Sequence, residues 1–291
     1  MKSAMAKLLT PLLVAAVLVA QGAAMAQSSS SPTLDRIRQS KTIRIAYRAD
    51  APPFAYKNNL GEPAGFMVDL CKAVAQQIRG QLGLSSLDVS YVLVNSVDRF
   101  DAIRQGKADL LCEPTSATLS RREFVDFSIP TYVDGAGLLV RGDGPTDIKG
   151  LAGRQIGVLA GTTTEQALRN TLKDASISAT VIPAKSHAEG LAMLDDGKIS
   201  AYFADRSILQ FLALQSKAPD KLSLADAYLT IEPYALALPH GDEGFRLAVD
   251  RALSHIYRGG QINTIFNKNF GGKAQPGVML QTLYVISGYP D

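Results

Sequence analysis

The feature that most constrains the fold of this chain is a repeated alternation of short apolar runs with amphipathic segments. TIRIAY, DVSYVLV and ADLLCEP have the composition of strands, whereas AGFMVDLCKAVAQQI places Phe66, Leu70, Val74 and Ile78 at helical spacing. The alternation restarts at GAGLLVR and continues through QIGVLAG, TTTEQALRNTL and ISAYFAD. Strands that alternate with helices predict mostly parallel sheets with helices on both faces. Two such units of similar size predict an α/β fold with two lobes and a ligand cleft between them.

The N-terminus has a composition different from the rest of the chain. MKSAMAK is basic, LLTPLLVAAVLVA is an apolar run too short to span a bilayer, and AMA places small residues before Gln27. This order predicts a signal peptide over residues 1–26, cleaved after Ala26, and a Ser-rich linker over residues 27–33. We therefore expect a periplasmic protein, with an uncleaved membrane anchor as the alternative.

Charge and cysteine content argue against a nucleic-acid-binding protein and a zinc protein. The formal charge is +3, and loss of Lys2 and Lys7 with the leader lowers it to about +1, which argues against nucleic acid as a partner. Cys71 and Cys112 lie in apolar stretches, where either a disulfide or two buried thiols would suit an exported protein. Two cysteines and three scattered histidines do not predict a zinc site, and we expect no cofactor.

Two short motifs have the chemistry of anion binding. In VLAGTTTEQALRN a strand ends near Ala160, Gly161 allows a turn, and a helix begins after residues 162–164. The free N–H groups at such a helix start attract a carboxylate or a phosphate, although the threonines could be helix caps and nothing more. In CEPTSATLSRR, Arg121 follows Ser116 by five residues, and a guanidinium can hold a carboxylate through two parallel hydrogen bonds. The alternative is a surface arginine.

Four motifs, taken in order, resemble the periplasmic amino-acid-binding proteins of ABC importers for polar amino acids. GFMVDLCKAVAQQI resembles a helix signature of that family, with Met67 where an acid is usual, and ADLLCEPTSATLSRREFVDFSIP resembles its hydroxyl, Arg and DFS block. GVLAGTTTEQAL resembles its GTT-x-E block, and ISAYFADRSIL resembles the segment whose Asp holds the ligand amino group. The resemblance runs from about Leu34 to Gly271 and implies the two-lobed type II fold of periplasmic binding proteins.

The resemblance implies which residues hold the main-chain groups of an amino acid. The residues that match are Pro114, Ser116, Arg121, Thr162, Thr163 and Asp205. Arg121 would hold the α-carboxylate, assisted by the Ser116 hydroxyl and by one of the two threonines. Asp205 would pair with the α-ammonium group, with the carbonyl oxygen of Pro114 as a second acceptor. Pro114 stands where the family often has Gly or Ser, so only a main-chain contact is implied there.

A second set of residues predicts the ligand side chain. It comprises Arg48 after the first strand, Ser96 and Arg99 at a helix start, and His187 at the start of another helix. The set resembles the residues that surround the side-chain carboxylate in glutamate/aspartate binders. Because three basic groups would overcompensate a neutral ligand, we expect an acidic amino acid. The alternatives are a surface pair between Arg99 and a neighbouring aspartate with His187 as a helix cap, or glutamine or asparagine as the ligand.

The same resemblance places the boundaries of the two lobes. Lobe 1 is expected to contain residues 34–132 and 233–291, and lobe 2 is expected to contain residues 135–230. Two segments should therefore cross between the lobes, one near residues 132–135 and one near residues 231–234.

The sequence thus predicts a monomeric periplasmic binding protein without catalytic activity. It would deliver glutamate and/or aspartate to the permease subunits of an ABC importer by closing its lobes on the ligand. One alternative is an enzyme on the same scaffold, similar to cyclohexadienyl dehydratases, with Glu113 or Glu165 as a general acid. Neither acid has a neighbour in the sequence that would raise its pKa. Another is that the closed lobes signal to a membrane sensor. Residues 273–291 have no predicted role.

Overall fold

The computed structural model describes residues 31–142, 144–226 and 228–290. The predicted signal peptide, its cleavage site and most of the predicted linker lie outside these ranges. The helices are α1 (Pro32–Ser40), α2 (Phe66–Gln81), α3 (Arg99–Arg104), α4 (Leu119–Arg122), α5 (Thr163–Asp174), α6 (His187–Asp195), α7 (Arg206–Ala213), α8 (Glu243–Arg258), α9 (Gln261–Asn269) and α10 (Val278–Ser287). The strands are β1 (Thr42–Tyr47), β2 (Asp50–Ala51), β3 (Ala55–Lys57), β4 (Pro63–Ala64), β5 (Asp88–Leu93), β6 (Leu110–Leu111), β7 (Asp126–Asp134), β8 (Ala136–Arg141), β9 (Gln155–Leu159), β10 (Thr180–Ala184), β11 (Ala201–Asp205), β12 (Leu222–Leu224) and β13 (Glu232–Leu238).

The alternation of the sequence forms two sheets of five strands each within the described residues. The first has the order β5-β1-β6-β13-β7, and the second has the order β10-β9-β11-β8-β12. In each sheet four strands point the same way, and the antiparallel one is β13 in the first sheet and β8 in the second. Each antiparallel strand directly follows a crossing between the sheets. The predicted α/β fold with mostly parallel sheets is confirmed.

Helices cover both faces of both sheets. Alternate residues of a strand therefore enter different cores, as the twofold period of a strand requires. In β1, Ile45 packs in the cluster that contains α2 and α8, whereas Ala46 packs in the cluster that contains α3. In β11, Tyr202 packs with α6 and α7, whereas Phe203 packs with α5. Both sheets are thus rigid supports for the loops that follow their strands.

The chain passes between the two sheets at two neighbouring segments, once from β7 to β8 and once before β13. Gly135 lies at the first crossing. A Cβ atom there would be 2.5 Å from Cδ1 of Tyr228 and 2.6 Å from the carbonyl oxygen of Thr230 on the returning segment. Only glycine allows the two segments to pass so closely. The lobe boundaries assigned from the sequence stay a prediction.

Both ends of the described chain pack against the first sheet and its helices. Helix α1 begins at Pro32, inside the segment predicted as a linker, and Ser31 caps it by accepting a hydrogen bond from the Leu34 N–H (3.1 Å). Helix α10 packs against β7 and α8, and the Tyr284 hydroxyl donates to the Thr131 carbonyl (3.3 Å). The C-terminal segment, which has no predicted role, therefore lies along the first sheet. Among the described residues, the helices are too short or too polar to cross a bilayer.

A disulfide joins α2 to the residue that follows β6. The sequence left open whether Cys71 and Cys112 are bridged, and the structure pairs them with a Cα–Cα distance of 6.2 Å. The bond fixes the backbone at Cys112, immediately before the loop that contains Pro114 and Ser116.

Removal of this bond should lower stability. The cysteines are 41 residues apart, so the bond restricts the unfolded chain by an entropy worth about 2 to 4 kcal/mol. We expect the double variant Cys71→Ala/Cys112→Ala to lose about that free energy of unfolding in urea titrations. Wild-type protein in excess dithiothreitol should show a similar loss. An unchanged urea midpoint in both would contradict the prediction.

Candidate functional site

A cavity lies between the two sheets, where several parallel strands have their carboxyl ends. The residues that line it are Arg48, Arg99, Pro114, Ser116, Arg121, Leu159, Thr162, Thr163, Thr164, His187, Phe203, Ala204 and Asp205. Ligands of open α/β sheets bind at this edge because the loops there converge. Nine of the ten residues predicted to bind the ligand line this cavity, and Ser96 does not. Ser96 is buried, and its carbonyl oxygen lies 3.1 Å from where a Cβ on Gly161 would be.

Arg121 is held in place by the short helix α4. The hydroxyl of Thr118 caps this helix by accepting a hydrogen bond from the Arg121 N–H (3.2 Å). The guanidinium donates through Nη1 to the Ser116 carbonyl oxygen (2.7 Å) and lies over the ring of Phe100. Burial and the nearby Arg99 lower the pKa of Arg121 to about 10, so the group stays protonated at neutral pH. A guanidinium fixed in this way can offer its other N–H groups to a carboxylate.

The start of α5 forms a capping box. The Thr162 Oγ1 atom accepts from the Glu165 N–H (3.1 Å), and the Glu165 Oε2 atom accepts from the Gly161 N–H (2.9 Å). The Thr162 hydroxyl donates in turn to the Leu159 carbonyl (2.7 Å). The Thr162 side chain therefore caps α5, while the residue also lines the cavity. An anion at this helix start would bind to main-chain N–H groups and to the positive end of the helix dipole.

Glu232, which the sequence did not single out, connects the two sheets beside the cavity. It is buried at the start of β13 and accepts a hydrogen bond from the Ser116 hydroxyl. Its carboxylate also accepts from the hydroxyls of Thr163 (2.9 Å) and Thr230 (2.7 Å). The protons of Ser116 and Thr163 thus point to Glu232, so neither hydroxyl can donate to a ligand carboxylate without turning away from it.

Asp205 lies near two other carboxylates at the crossing between the sheets. Its oxygens accept hydrogen bonds from the Tyr234 hydroxyl (2.6 Å) and the Thr164 hydroxyl (3.4 Å). Burial raises the pKa of Asp205 to about 7, and the negative charges of Asp134 and Glu232 add to this effect. A cation beside these three carboxylates would relieve their repulsion, and an α-ammonium group has the required charge.

Arg48 and His187 form a buried cluster with Asp50. The Arg48 guanidinium donates through Nε (3.0 Å) and Nη2 (2.8 Å) to one oxygen of Asp50. The main-chain N–H of His187 donates to the other oxygen (3.0 Å). The His187 Nδ1 atom lies 3.0 Å from the Tyr202 hydroxyl. Burial and the charge of Arg48 lower the pKa of His187 to about 3, so this imidazole is neutral. Ser186, rather than His187, caps α6.

Arg99 is buried in the protein rather than paired on its surface. Its side chain is 2% exposed, and its Nη2 atom donates to the Gly161 carbonyl oxygen (3.3 Å) across the cleft. Asp98 and Asp101, the proposed surface partners, pair instead with residues near them on the surface. The surface alternative for Arg99 is therefore wrong.

Glu113 is a buried acid that lies close to both buried arginines. It is fully buried, and its oxygens lie 3.6 Å from Nε of Arg99 and 3.6 Å from Nη1 of Arg48. Burial raises the pKa of Glu113. The residues next to Glu113 in the sequence did not predict this change. Glu113 does not line the cavity, and Glu165, the other proposed acid, is bound in the capping box and pairs with Arg169 (2.9 Å).

The described residues do not bring three His, Cys, Asp or Glu side chains together in a metal-binding arrangement. The arrangement is instead that of a binding site for a small zwitterion. Arg121 and the helix start form a region for an anion, and the carboxylates around Asp205 form a region for a cation.

Residues 43–272 match the bacterial extracellular solute-binding proteins, family 3. The chain belongs to this family. Among its relatives, the L-glutamate/L-aspartate-binding protein of Pseudomonas aeruginosa is 31% identical over 265 residues, which cover 90% of this chain and 87% of that protein. The glutamate/aspartate import solute-binding protein of Escherichia coli K12 is 25% identical over 86% of this chain and 83% of that protein.

A solved structure has the same fold. An ancestral amino acid-binding protein, a precursor of cyclohexadienyl dehydratase, superposes with a TM-score of 0.72 at 26% identity. The match covers 82% of this chain and 99% of the ancestral one.

The environment of Asp205 predicts a stability that falls as pH rises. A carboxyl group with a pKa near 7 in the folded protein, against 3.8 ordinarily, is protonated when folded and ionised when unfolded between these values. Stability is lost across this window. In the ligand-free protein, we expect Asp205→Asn to gain about 2 kcal/mol more in unfolding free energy at pH 8 than at pH 5, relative to wild type. Urea titrations at both pH values measure this, with the exposed Asp220→Asn as control, and an equal effect at both would refute it.

Proposed function

We propose that this protein binds an acidic L-amino acid, glutamate and/or aspartate, in the periplasm and delivers it to the permease of an ABC importer. The observation that supports this most directly is the presence of two buried guanidinium groups, Arg48 and Arg99, on the wall of a cavity that also contains Arg121. An α-amino acid has one carboxylate for Arg121, and an acidic one has a second carboxylate for the other two arginines. His187, being neutral, would donate or accept a hydrogen bond rather than supply charge.

The main-chain groups of the ligand have clear partners in this proposal. Arg121 and the N-terminus of α5 would hold the α-carboxylate, and Asp205 would hold the α-ammonium group. Contact with the ammonium group would lower the pKa of Asp205 from about 7, so binding would release part of a proton below that pH. Arg121 precedes β7 of the first sheet, whereas α5 follows β9 and Asp205 ends β11, both strands of the second sheet. A bound ligand would therefore link the two sheets.

Relatives support the same class of ligand and the same role in import. The two relatives named above are a glutamate/aspartate-binding protein and a glutamate/aspartate import solute-binding protein, and their similarity extends over 90% and 86% of this chain. A protein that closes on its ligand presents one defined surface, which a permease can distinguish from the open form.

We propose no catalytic activity, because the candidate acids are not placed for it. Glu113 does not line the cavity, and Glu165 is part of the cap of α5. A general acid must approach the proton it transfers within hydrogen-bond distance. The likeness to a precursor of cyclohexadienyl dehydratase concerns an ancestral protein that is itself described as amino acid-binding.

Calorimetric titration tests the proposed ligand. The mature protein should be unfolded and refolded to remove any carried ligand, then titrated with L-glutamate, L-aspartate, L-glutamine and L-arginine. We expect the acidic pair to bind. Arg121→Ala should weaken every ligand at least 100-fold, because it removes a charge-assisted contact to the α-carboxylate. Arg99→Ala should weaken glutamate at least tenfold and glutamine much less.

Arg122→Ala is the matched control, because Arg122 is exposed on the same helix as Arg121. It should bind as wild type does. Preference of the wild type for glutamine or arginine would contradict the role of Arg48 and Arg99 in binding a side-chain carboxylate. It would not change the family to which the chain belongs. Turnover of a cyclic carboxylate, without binding of any of the four amino acids, would favour the enzyme alternative.

A further inference from the structure

Glu113 is a buried acid in a rigid position. It follows Cys112, which the disulfide fixes to α2, and precedes Pro114, whose backbone angle φ is restricted. Its side chain is 0% exposed. Neither of its oxygens has a hydrogen-bond partner among the described residues, and neither does Nε of Arg99. A carboxylate placed this way cannot turn to solvent when the charge around it changes.

Two acids lie close to the two buried arginines before any ligand binds. Arg48 is paired with Asp50 at 2.8 Å, and both arginines lie 3.6 Å from Glu113. His187 is neutral because burial and Arg48 lower its pKa to about 3. Asp50 is ionised beside Arg48, and Glu113 adds a second negative charge whenever it is ionised. In that state two positive groups face two negative groups, and this half of the cavity suits an uncharged polar side chain.

A second ligand carboxylate would leave this half of the cavity with one uncompensated negative charge. Buried charge without a partner is costly, and proteins relieve it by a change of protonation. The ionisable groups that face Glu113 are Arg48 after β1, Asp50 on β2, Arg99 at the start of α3 and Arg121 on α4. Arginine keeps its proton, and Asp50 is held ionised because contact with Arg48 lowers its pKa. Glu113 remains as the group that can accept a proton, and burial already raises its pKa.

We propose that Glu113 determines the side-chain charge that this site accepts: an acidic amino acid binds together with one proton, which Glu113 holds, whereas an uncharged polar amino acid binds without it. The proton comes from solvent and is released to solvent when the ligand leaves. The inference rests on the proposed function, because it describes how the same site would admit glutamate or aspartate.

Calorimetry of wild-type protein in two buffers with different enthalpies of protonation measures the proton count directly. At pH 7, binding of L-glutamate should take up close to one proton more than binding of L-glutamine. The comparison with glutamine removes the contribution of Asp205, since both ligands have the same α-ammonium group. Relative to glutamine, the Kd of glutamate should rise up to tenfold per pH unit between pH 6 and 8.

The variant Glu113→Gln keeps the shape of the side chain and cannot ionise. It should bind glutamate with no proton uptake beyond that of glutamine, and its glutamate affinity at pH 8 should exceed that of wild type about tenfold or more. Glu123→Gln is the matched control, because Glu123 is an exposed acid ten residues further along the chain. It should behave as wild type does. The proton count of wild type tests the proposal even if Glu113→Gln fails to fold.

The outcomes separate this inference from the proposed function. Glutamate binding by wild type with the same proton count as glutamine would overturn the inference and leave the proposed function intact. Proton uptake that persists in Glu113→Gln would place the proton elsewhere, with His187 the nearest alternative, and would also overturn it. If wild type bound glutamine alone, the proposed function and the proton-linked binding of an acidic amino acid would both fail, even if Glu113→Gln bound glutamate. If neither protein bound an acidic amino acid at any pH from 5 to 8, both would fail.

Discussion

The two halves of this protein are held together by buried carboxylates that accept hydrogen bonds across the cleft. Asp50, beside the first sheet, accepts from the main chain of His187, and Glu232 on β13 accepts from the Thr163 hydroxyl. In the other direction, Asp205 on the second sheet accepts from the Tyr234 hydroxyl. Each acid lies at one end of a strand: Asp50 begins β2, Glu232 begins β13 and Asp205 ends β11. The fold therefore determines the positions of donors and acceptors together. A separation of the lobes would break these contacts, and water would have to replace the lost partners.

Charged groups, more than the shape of the cavity, determine which ligand this site can hold. Arg48, Arg99 and Arg121 line a space whose acids are Asp205 on the wall and Asp50, Glu113 and Glu232 around it. Because burial penalises a charge, the protonation of Asp205 and of Glu113 depends on the groups around them. A zwitterionic ligand adds one charge of each sign and leaves the total unchanged. The charge of its side chain, in contrast, must be matched by the protein, and this is the property that can distinguish one amino acid from another.

The sequence predicted the elements and missed the contacts between them. Strand and helix periods predicted the fold class, and the resemblance to a known family then named nine of the residues that line the cavity. Glu232 was missed because its partner Ser116 is 116 residues away, and nothing in TIEPYALAL marks an acid that will lie between two hydroxyls. Asp50 was missed because no local pattern shows that its side chain turns to Arg48 and to the main-chain N–H of His187, which is 137 residues away. Burial of Glu113 depends on the packing of α3 and β1 around it, which no local pattern encodes.

The division of the site into a general half and a selective half explains where specificity can change. The α-carboxylate and α-ammonium contacts of the proposal involve main-chain groups at the start of α5, the clamped Arg121, and an aspartate at the end of β11, all of which would suit any L-amino acid. The selective half is made of Arg48, Arg99 and His187, with Glu113 behind them. Since a disulfide and a proline fix the backbone on both sides of Glu113, substitution there would change the charge of the pocket with little change of shape. Specificity for charge is therefore concentrated at a position that contacts the arginines rather than the ligand.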